Sequence, residues 1–561
     1  MAALRAEGCK YVFGIPGGEF IDLLEALDRR EKEVGDMHYI GVRHEQAAAN
    51  MADAYARVSG DVGVCCGTVG PGFVDLVPGV APAYFDNVPI LVIHPQMDRK
   101  FDDHNRLQQG LDQLAVMKPM VKYQKHIQDP NRIIWGAQKC FKELHGGCPQ
   151  PVQLEIREDA FHGKVEPYGQ NVLKPSQYRC MKPPAGNPDI VKEAVELLVT
   201  AEKPLIISGG GVTSANGWDC VRKISVEFNI PAATTIMGLG TVNPTHKTYL
   251  GATLGCMSVL QSAQQADVIL AFGTKFGFSL GYGKSPIWNR NGKLIQVDID
   301  PQMIGKNRPV EVGIVGDCRV VAQQIYRTLK DQGIERFSED WVNEGIKTRQ
   351  STIRRAKRKM LSDKTPIHPL RLIHDVTNFM EPQDILVTDA GDITAMTTTT
   401  VDYAKPREQR TFLNSVGFGH LGVGIPYCIG AKLARPDVNV FQITGDGSFL
   451  FNVQELNTAV NYDIPFVTVI ADNCSWGMIK NMEKRNFRRR DPFCVDFEDN
   501  DYARIAEGFG CYSERVQDPS EITSALQRAV DSKKPAVLHV PVKFVAPEGA
   551  KMLASMRSIK F

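Results

Sequence analysis

Residues 439–479, NVFQITGDGSFLFNVQELNTAVNYDIPFVTVIADNCSWGMI, read as a strand, an acid between two glycines, an amphipathic helix, a second strand and an acid–amide pair at its end. This is one βαβ unit. A right-handed crossover returns the second strand beside the first, so Gly445-Asp446-Gly447 and Asp472-Asn473 emerge together at the carboxyl edge of a parallel sheet. Glycines around Asp446 let the backbone approach an anion, and the helix that follows adds N–H groups and its positive dipole end. Two oxygen ligands converging there suit Mg²⁺ holding a diphosphate. A glycine–acid–glycine turn alone is also what a plain strand-to-helix turn looks like; that reading must account as well for Asn473, placed 27 residues after Asp446.

The pair resembles the thiamine diphosphate motif, GDG followed after a helix and strand by NN, with Asp472 standing where the first Asn would be. The resemblance implies that the side chains of Asp446 and Asn473 and the backbone carbonyl of Ser475 hold Mg²⁺ against the diphosphate. Gly445, Gly447 and Ser448 would form the cofactor turn.

With 561 residues, 43% of them hydrophobic, the chain can bury several cores, and its length points to three or four domains. A net charge of +1 supplies no field for nucleic acid or an anionic membrane. The basic run IKTRQSTIRRAKRKMLSDK at 346–364 lacks interleaved aromatics and reads as a solvated helical connector. Thirteen cysteines, an odd number without a paired framework, suit a reduced, cytoplasmic protein. No apolar run is long enough to span a membrane and no export signal is visible. Met1 stands only ten residues before the first strand, so the opening helix is expected to be short.

The N-terminal third repeats the βα pattern. KYVFGI reads as a strand, Pro16-Gly17-Gly18 as a turn into a helix, HYIGV as a second strand ending at Arg43-His44-Glu45, and AAANMADAYARVSG as a helix closing near Gly60. DVGVCCGTVG and VPILVI add strands three and four around Gly70-Pro71-Gly72. A proline-rich stretch at 163–186 separates a middle αβ unit containing PLIISGGGV, IPAATT, DVILAFGT and KLIQVDID. The expected fold is α/β with three doubly wound parallel sheets, in domains at 1–165, 186–330 and 365–545.

Other segments extend the likeness. RHEQAAANMADAYAR resembles RHEQxAxxMAxxYAR of acetohydroxyacid synthases and RHEAAAxxxAxxYAR of benzaldehyde lyases. By position Glu45 could simply satisfy a helix N-terminus. The resemblance implies instead that it hydrogen-bonds the aminopyrimidine of thiamine diphosphate and shifts the protonation of its amine, the base that activates the thiazolium carbon. HNRLQQGLDQLAVMKPMVKYQKHI reads as helical and resembles the benzaldehyde lyase segment NxLQAGxDQxAMxxPxxKW. That alignment makes Gln108 a catalytic amide; alignment to the synthases' FQExD fits Gln109 about as well. NSVGFGHLGVGIPYCIGAKLA resembles GxMGxGxPxAIGA, which places Leu421 beneath the cofactor and Gly419 in its loop. Pro16, Gly17 and Gly391 are further cofactor-edge candidates, and Trp476 and Met478 would face the substrate.

The resemblance therefore implies a thiamine diphosphate enzyme of the acetohydroxyacid synthase and benzaldehyde lyase branch, acting on small-molecule carbonyl compounds. It would be a homodimer at minimum, with a tetramer expected, because in the family Glu45's counterpart completes a cofactor held by another subunit. GTKFGFSLGYGKSPIW departs from the synthases' GARFDDR, so FAD in the middle domain is not favoured. The first reading is a benzaldehyde lyase-like C–C lyase and carboligase. Acetolactate synthesis from pyruvate is the second, 2-hydroxyacyl-CoA cleavage the third, and a non-catalytic regulatory homologue the alternative from another class.

Overall fold

The computed structural model describes residues 1–108, 111–252, 255–415, 417–488 and 491–547. Three sheets of six strands follow one another along the chain, and every strand pairing is parallel. Counting strands within each sheet, the first and third share the order 2-1-3-4-6-5, whereas the middle one runs 3-2-1-4-5-6. Strands such as Val467–Asp472, wholly buried, and Val152–Arg157, buried but for its last residue, are covered on both faces by helices, as their continuous apolar composition requires.

In each of the two like-ordered sheets a helix follows the second strand: Glu45–Ser59 in the first and Gly424–Ala434 in the third. These two helices pack on each other and merge both units into one core, which runs from Phe13 to Val537. The crossing is tight. A Cβ on Gly430 would stand 2.3 Å from the Met51 carbonyl oxygen, so only glycine allows that approach.

At the seam lies Arg57, whose side chain is 4% exposed. Its Nε and Nη2 donate to the two carboxylate oxygens of Asp53 at 2.6 and 3.0 Å, Nη2 also reaches Asp86 at 3.0 Å, and Nη1 donates to the Asn414 carbonyl at 3.2 Å. Tyr427 donates its hydroxyl to Asp53 from the facing helix. The middle unit joins through Met237, whose sulfur lies 3.3 Å from Nη1, and through Arg410, which bridges the Arg57 and Thr213 carbonyls.

The sequence reading needs correction at several places. The helix expected across the Gln108 segment is confined to Gln113–Met117 and the 3-10 turn Lys118–Met120, and Tyr123–Ile127 is a strand. Asp112 caps the short helix by accepting the Ala115 N–H, and Pro119 cannot continue it. Gln108 itself sits in a turn at φ 67°; Gln109 lies outside the described residues. The single helix expected after Asp446 is three pieces, Asp446–Phe449, Leu450–Asn452 and Glu455–Asn461. Strands five and six of the first sheet escaped the reading, and the basic helix begins earlier, at Glu339, burying Trp341 and Val342.

Replacing Arg57 with Met would leave Asp53 and Asp86 buried without their cation. The expected loss is about 3–5 kcal/mol of stability, read as a lower urea midpoint with an unchanged slope.

Candidate active site

Pairing Gly445 with Ala471 sets the GDG turn beside the end of the neighbouring strand. Asp446 is buried; its Oδ1 accepts the Gly447 N–H and its Oδ2 the Ser475 N–H, both at 3.0 Å. Ser475 donates its hydroxyl to Asn473 Oδ1 at 2.8 Å, so the three metal candidates form one connected group. Burial, and then the neighbouring Asp472, raise the Asp446 carboxyl above its ordinary value.

Asp472 has its own counter-group. Its Oδ2 meets Nε2 of the fully buried His539 at 2.8 Å and its Oδ1 accepts the Cys474 N–H at 2.8 Å. Burial is the largest single influence on Asp472 and opposes its ionisation, but the bonds to His539, Asp446 and the Cys474 N–H together outweigh it and hold the carboxyl low. The departure from the amide pair is thus matched by a histidine on the adjacent strand, Ala536–Pro541.

These residues open into a cavity of about 840 Å³. Gly391, Gly419, Leu421, Gly445, Gly447, Ser448, Trp476 and Met478 line it together with Asp446, Asn473 and Ser475. A Cβ on Gly391, Gly419 or Gly445 would meet no atom, so the missing side chains clear ligand space, and oxygen donors converge at its floor. That donor set and that space fit Mg²⁺ and a diphosphate. Gly447 is walled instead: its Cβ would stand 2.5 Å from the Trp476 ring, which packs edge-on against Phe497 with centroids 5.0 Å apart.

The N-terminal candidates gather elsewhere. A Cβ on Gly17 would meet Thr68 at 2.7 Å, one on Gly72 would meet Glu45 Oε1 at 2.7 Å, and one on Gly70 would meet the Gln108 carbonyl at 2.6 Å. Pro16, Gly17, Glu45 and Gln108 therefore belong to the carboxyl edge of the first sheet, and none of them lines the C-terminal cavity. Glu45 is 7% exposed, and burial pushes its carboxyl up, toward the neutral form that can donate a hydrogen bond. His104, in the neighbouring FDDHN segment, is exposed.

Sequence reasoning missed the groups that hold the loops. Buried Asp389 accepts the N–H groups of Gly422 and Gly424 at 2.8 and 3.0 Å, fixing the loop that carries Leu421, and burial pushes its carboxyl to about 7. Asn452, at the end of the second helical piece after Asp446, donates to the Gly422 carbonyl at 2.7 Å and ties that piece to the same loop. Gln113, fully buried, accepts the Gly70 N–H at 2.9 Å. The acid of the Asp389-Ala390-Gly391 turn was the one visible signal.

Comparison with known proteins agrees with this architecture. Three family descriptions match in chain order: the thiamine pyrophosphate enzyme N-terminal TPP binding domain at 1–116, its central domain at 191–325 and its C-terminal TPP binding domain at 392–540. The probable acetolactate synthase large subunit of Methanococcus aeolicus is 32% identical over 98% of this chain and 93% of its own length. The acetolactate synthase large subunit of Haemophilus influenzae is 31% identical over 95% and 92%, and isozyme 3 of Escherichia coli 29% over 94% and 91%. The chain belongs to the thiamine pyrophosphate enzymes, in the acetolactate synthase branch. It is accordingly a thiamine diphosphate-dependent carboligase. Among the described residues no helix is long and apolar enough to cross a membrane.

Asp446→Ala is expected to weaken Mg²⁺-dependent thiamine diphosphate binding more than about thirtyfold, followed through the fluorescence of Trp476 beside the turn. A second expectation concerns Glu455, which accepts the Arg43 N–H at 3.0 Å where the two packed units meet. Burial moves its carboxyl from 4.5 to about 7. The folded state then holds the proton more tightly than the unfolded chain, so this contribution is present in full below 4.5 and is lost as pH rises through 7. Glu455→Gln should flatten that fall in a melting-temperature series across the same window.

Proposed function

We propose that the chain condenses two 2-oxo acids, forming acetolactate from pyruvate, with thiamine diphosphate and Mg²⁺. What carries this reading is the likeness, over more than nine-tenths of both chains, to proteins named acetolactate synthase large subunits. It favours the second of the sequence-based readings over the benzaldehyde lyase-like first. One 2-oxo acid loses its carboxylate as CO₂, the carbonyl carbon left behind bonds to the carbonyl carbon of a second, and the resulting oxyanion takes up one proton. Thiamine diphosphate, when bound, supplies the thiazolium that accepts the electron pair released as the carboxylate leaves.

The chain's own groups have separate tasks. Asp446, Asn473 and the Ser475 carbonyl would hold Mg²⁺, and Gly445, Gly447 and Ser448 would receive the diphosphate. Leu421 supplies bulk under the cofactor, while Trp476 and Met478 keep water from the reacting side. Glu45, whose burial favours the neutral carboxyl, would donate to the pyrimidine, and Gln108 would direct an amide at a substrate oxygen; Pro16 and Gly17 border that edge. Since Glu45 lines no part of the chain's own cavity, a second copy supplies it, and a homodimer is the smallest active form, with a tetramer as two such pairs.

Glu45→Gln is expected to lower acetolactate formation at least about a hundredfold with little change in melting temperature. Glu45→Gln and Asp446→Ala chains produced together should recover activity that neither has alone, because a mixed dimer carries one site with both groups. Failure to recover it would remove the shared site. Production of benzaldehyde from benzoin, with pyruvate untouched, would restore the lyase reading. Visible absorption of the purified protein decides whether a flavin accompanies it.

A further inference from the structure

The cavity continues well beyond the metal end. Helix Asp392–Thr400 has nine residues, so it is about 13 Å long, and both its first and its last residue belong to the cavity wall. Open space therefore follows the length of this helix. Other parts of the chain also line it: Ile236 and Phe278 from 3-10 turns of the middle unit, Thr352 and Ala356 from helix Glu339–Met360, and Tyr403.

The wall is more apolar than its sequence suggests. Residues 397–400 are four threonines, and each returns its hydroxyl to its own helix: Thr397 to the Ile393 carbonyl at 2.8 Å, Thr398 to Thr394 at 2.7 Å, Thr399 to Met396 at 2.9 Å and Thr400 to Met396 at 2.9 Å. A hydroxyl bonded back in this way leaves its methyl as the group available to a neighbour. Thr398, Thr399 and Thr400 thus give the channel methyl groups rather than donors, beside Ile393 and Met396. A methyl group, such as pyruvate carries, fills little of such a passage.

We propose that this channel receives the chain of the second carbonyl substrate, so that 2-oxo acids carrying an extended apolar chain serve as acceptors beside pyruvate. The inference rests on the carboligase reading above and specifies the acceptor. Apolar chain burial is worth roughly fourfold per methylene, enough to rank acceptors by length.

The test uses the enzyme loaded with thiamine diphosphate and Mg²⁺, pyruvate as donor, and 2-oxobutyrate, 2-oxohexanoate and 2-oxooctanoate as acceptors. We expect kcat/KM to climb by roughly fourfold per methylene until the channel is full. Ala356→Phe, or Thr352→Phe should the first variant fail to fold, should abolish the advantage of 2-oxooctanoate over 2-oxobutyrate. A flat or falling series overturns the proposal, as does a flavin found bound and competing with 2-oxooctanoate. If pyruvate is not consumed at all, the carboligase reading fails by itself, and calorimetry with octanoate and acetate then judges the channel. Octanoate binding that is much the tighter and is lost in Ala356→Phe sustains it; equal binding of the two acids ends it.

Discussion

The buried guanidinium of Arg57 is the constraint on which the assembly of this chain depends. It neutralises Asp53 and Asp86, holds Tyr427 in place through Asp53, and reaches the Asn414 carbonyl and Met237. The three units therefore share one charge centre inside the protein. A dry site with two carboxylates and a single guanidinium tolerates no displacement, because any separation strands a charge where water cannot reach it. The glycine contact between helices Glu45–Ser59 and Gly424–Ala434 brings the backbones close enough for that centre to form.

The same balance recurs at the C-terminal sheet edge on a smaller scale. Two carboxylates, Asp446 and Asp472, emerge from adjacent strands and are both buried. His539 answers one of them from the next strand, which leaves the other facing the cavity and accepting two backbone N–H groups. Charge has been divided so that Asp472 is settled internally and Asp446 is directed outward. That division makes a position one residue away from the amide usable for an acid.

Local motifs carried much of this. Gly445-Asp446-Gly447, Asn473 and Arg43-His44-Glu45 were readable because each depends on a strand ending and a helix starting within a few residues. Three parallel sheets were readable because their strands are apolar runs punctuated by glycine. What was hidden depends on distance along the chain: His539 lies 67 residues beyond Asp472 and Asp389 is 33 residues before the Gly422 it holds. Gln108 was placed on a helix because LDQLAVM continues an apolar period, and periodicity cannot register a loop leaning on Gly70. The ranking of reactions leaned on Trp476 and its neighbours, a few residues of likeness, while the resemblance that decides between branches is spread over the whole length.

The packing of the first helix pair also governs how the protein is made. Ser59 leaves the ribosome 365 residues before Gly424, which at roughly 5–20 residues per second is an interval of about 20–70 s. During that time the face of helix Glu45–Ser59 that will bury Met51 and Arg57 has no cover. Asp53 and Asp86 can pair with Arg57 early, as all three belong to the first unit, but Tyr427 and the apolar partners arrive only with the last third. Synthesis thus leaves this core half-finished for tens of seconds, an interval set by the order of the domains along the chain.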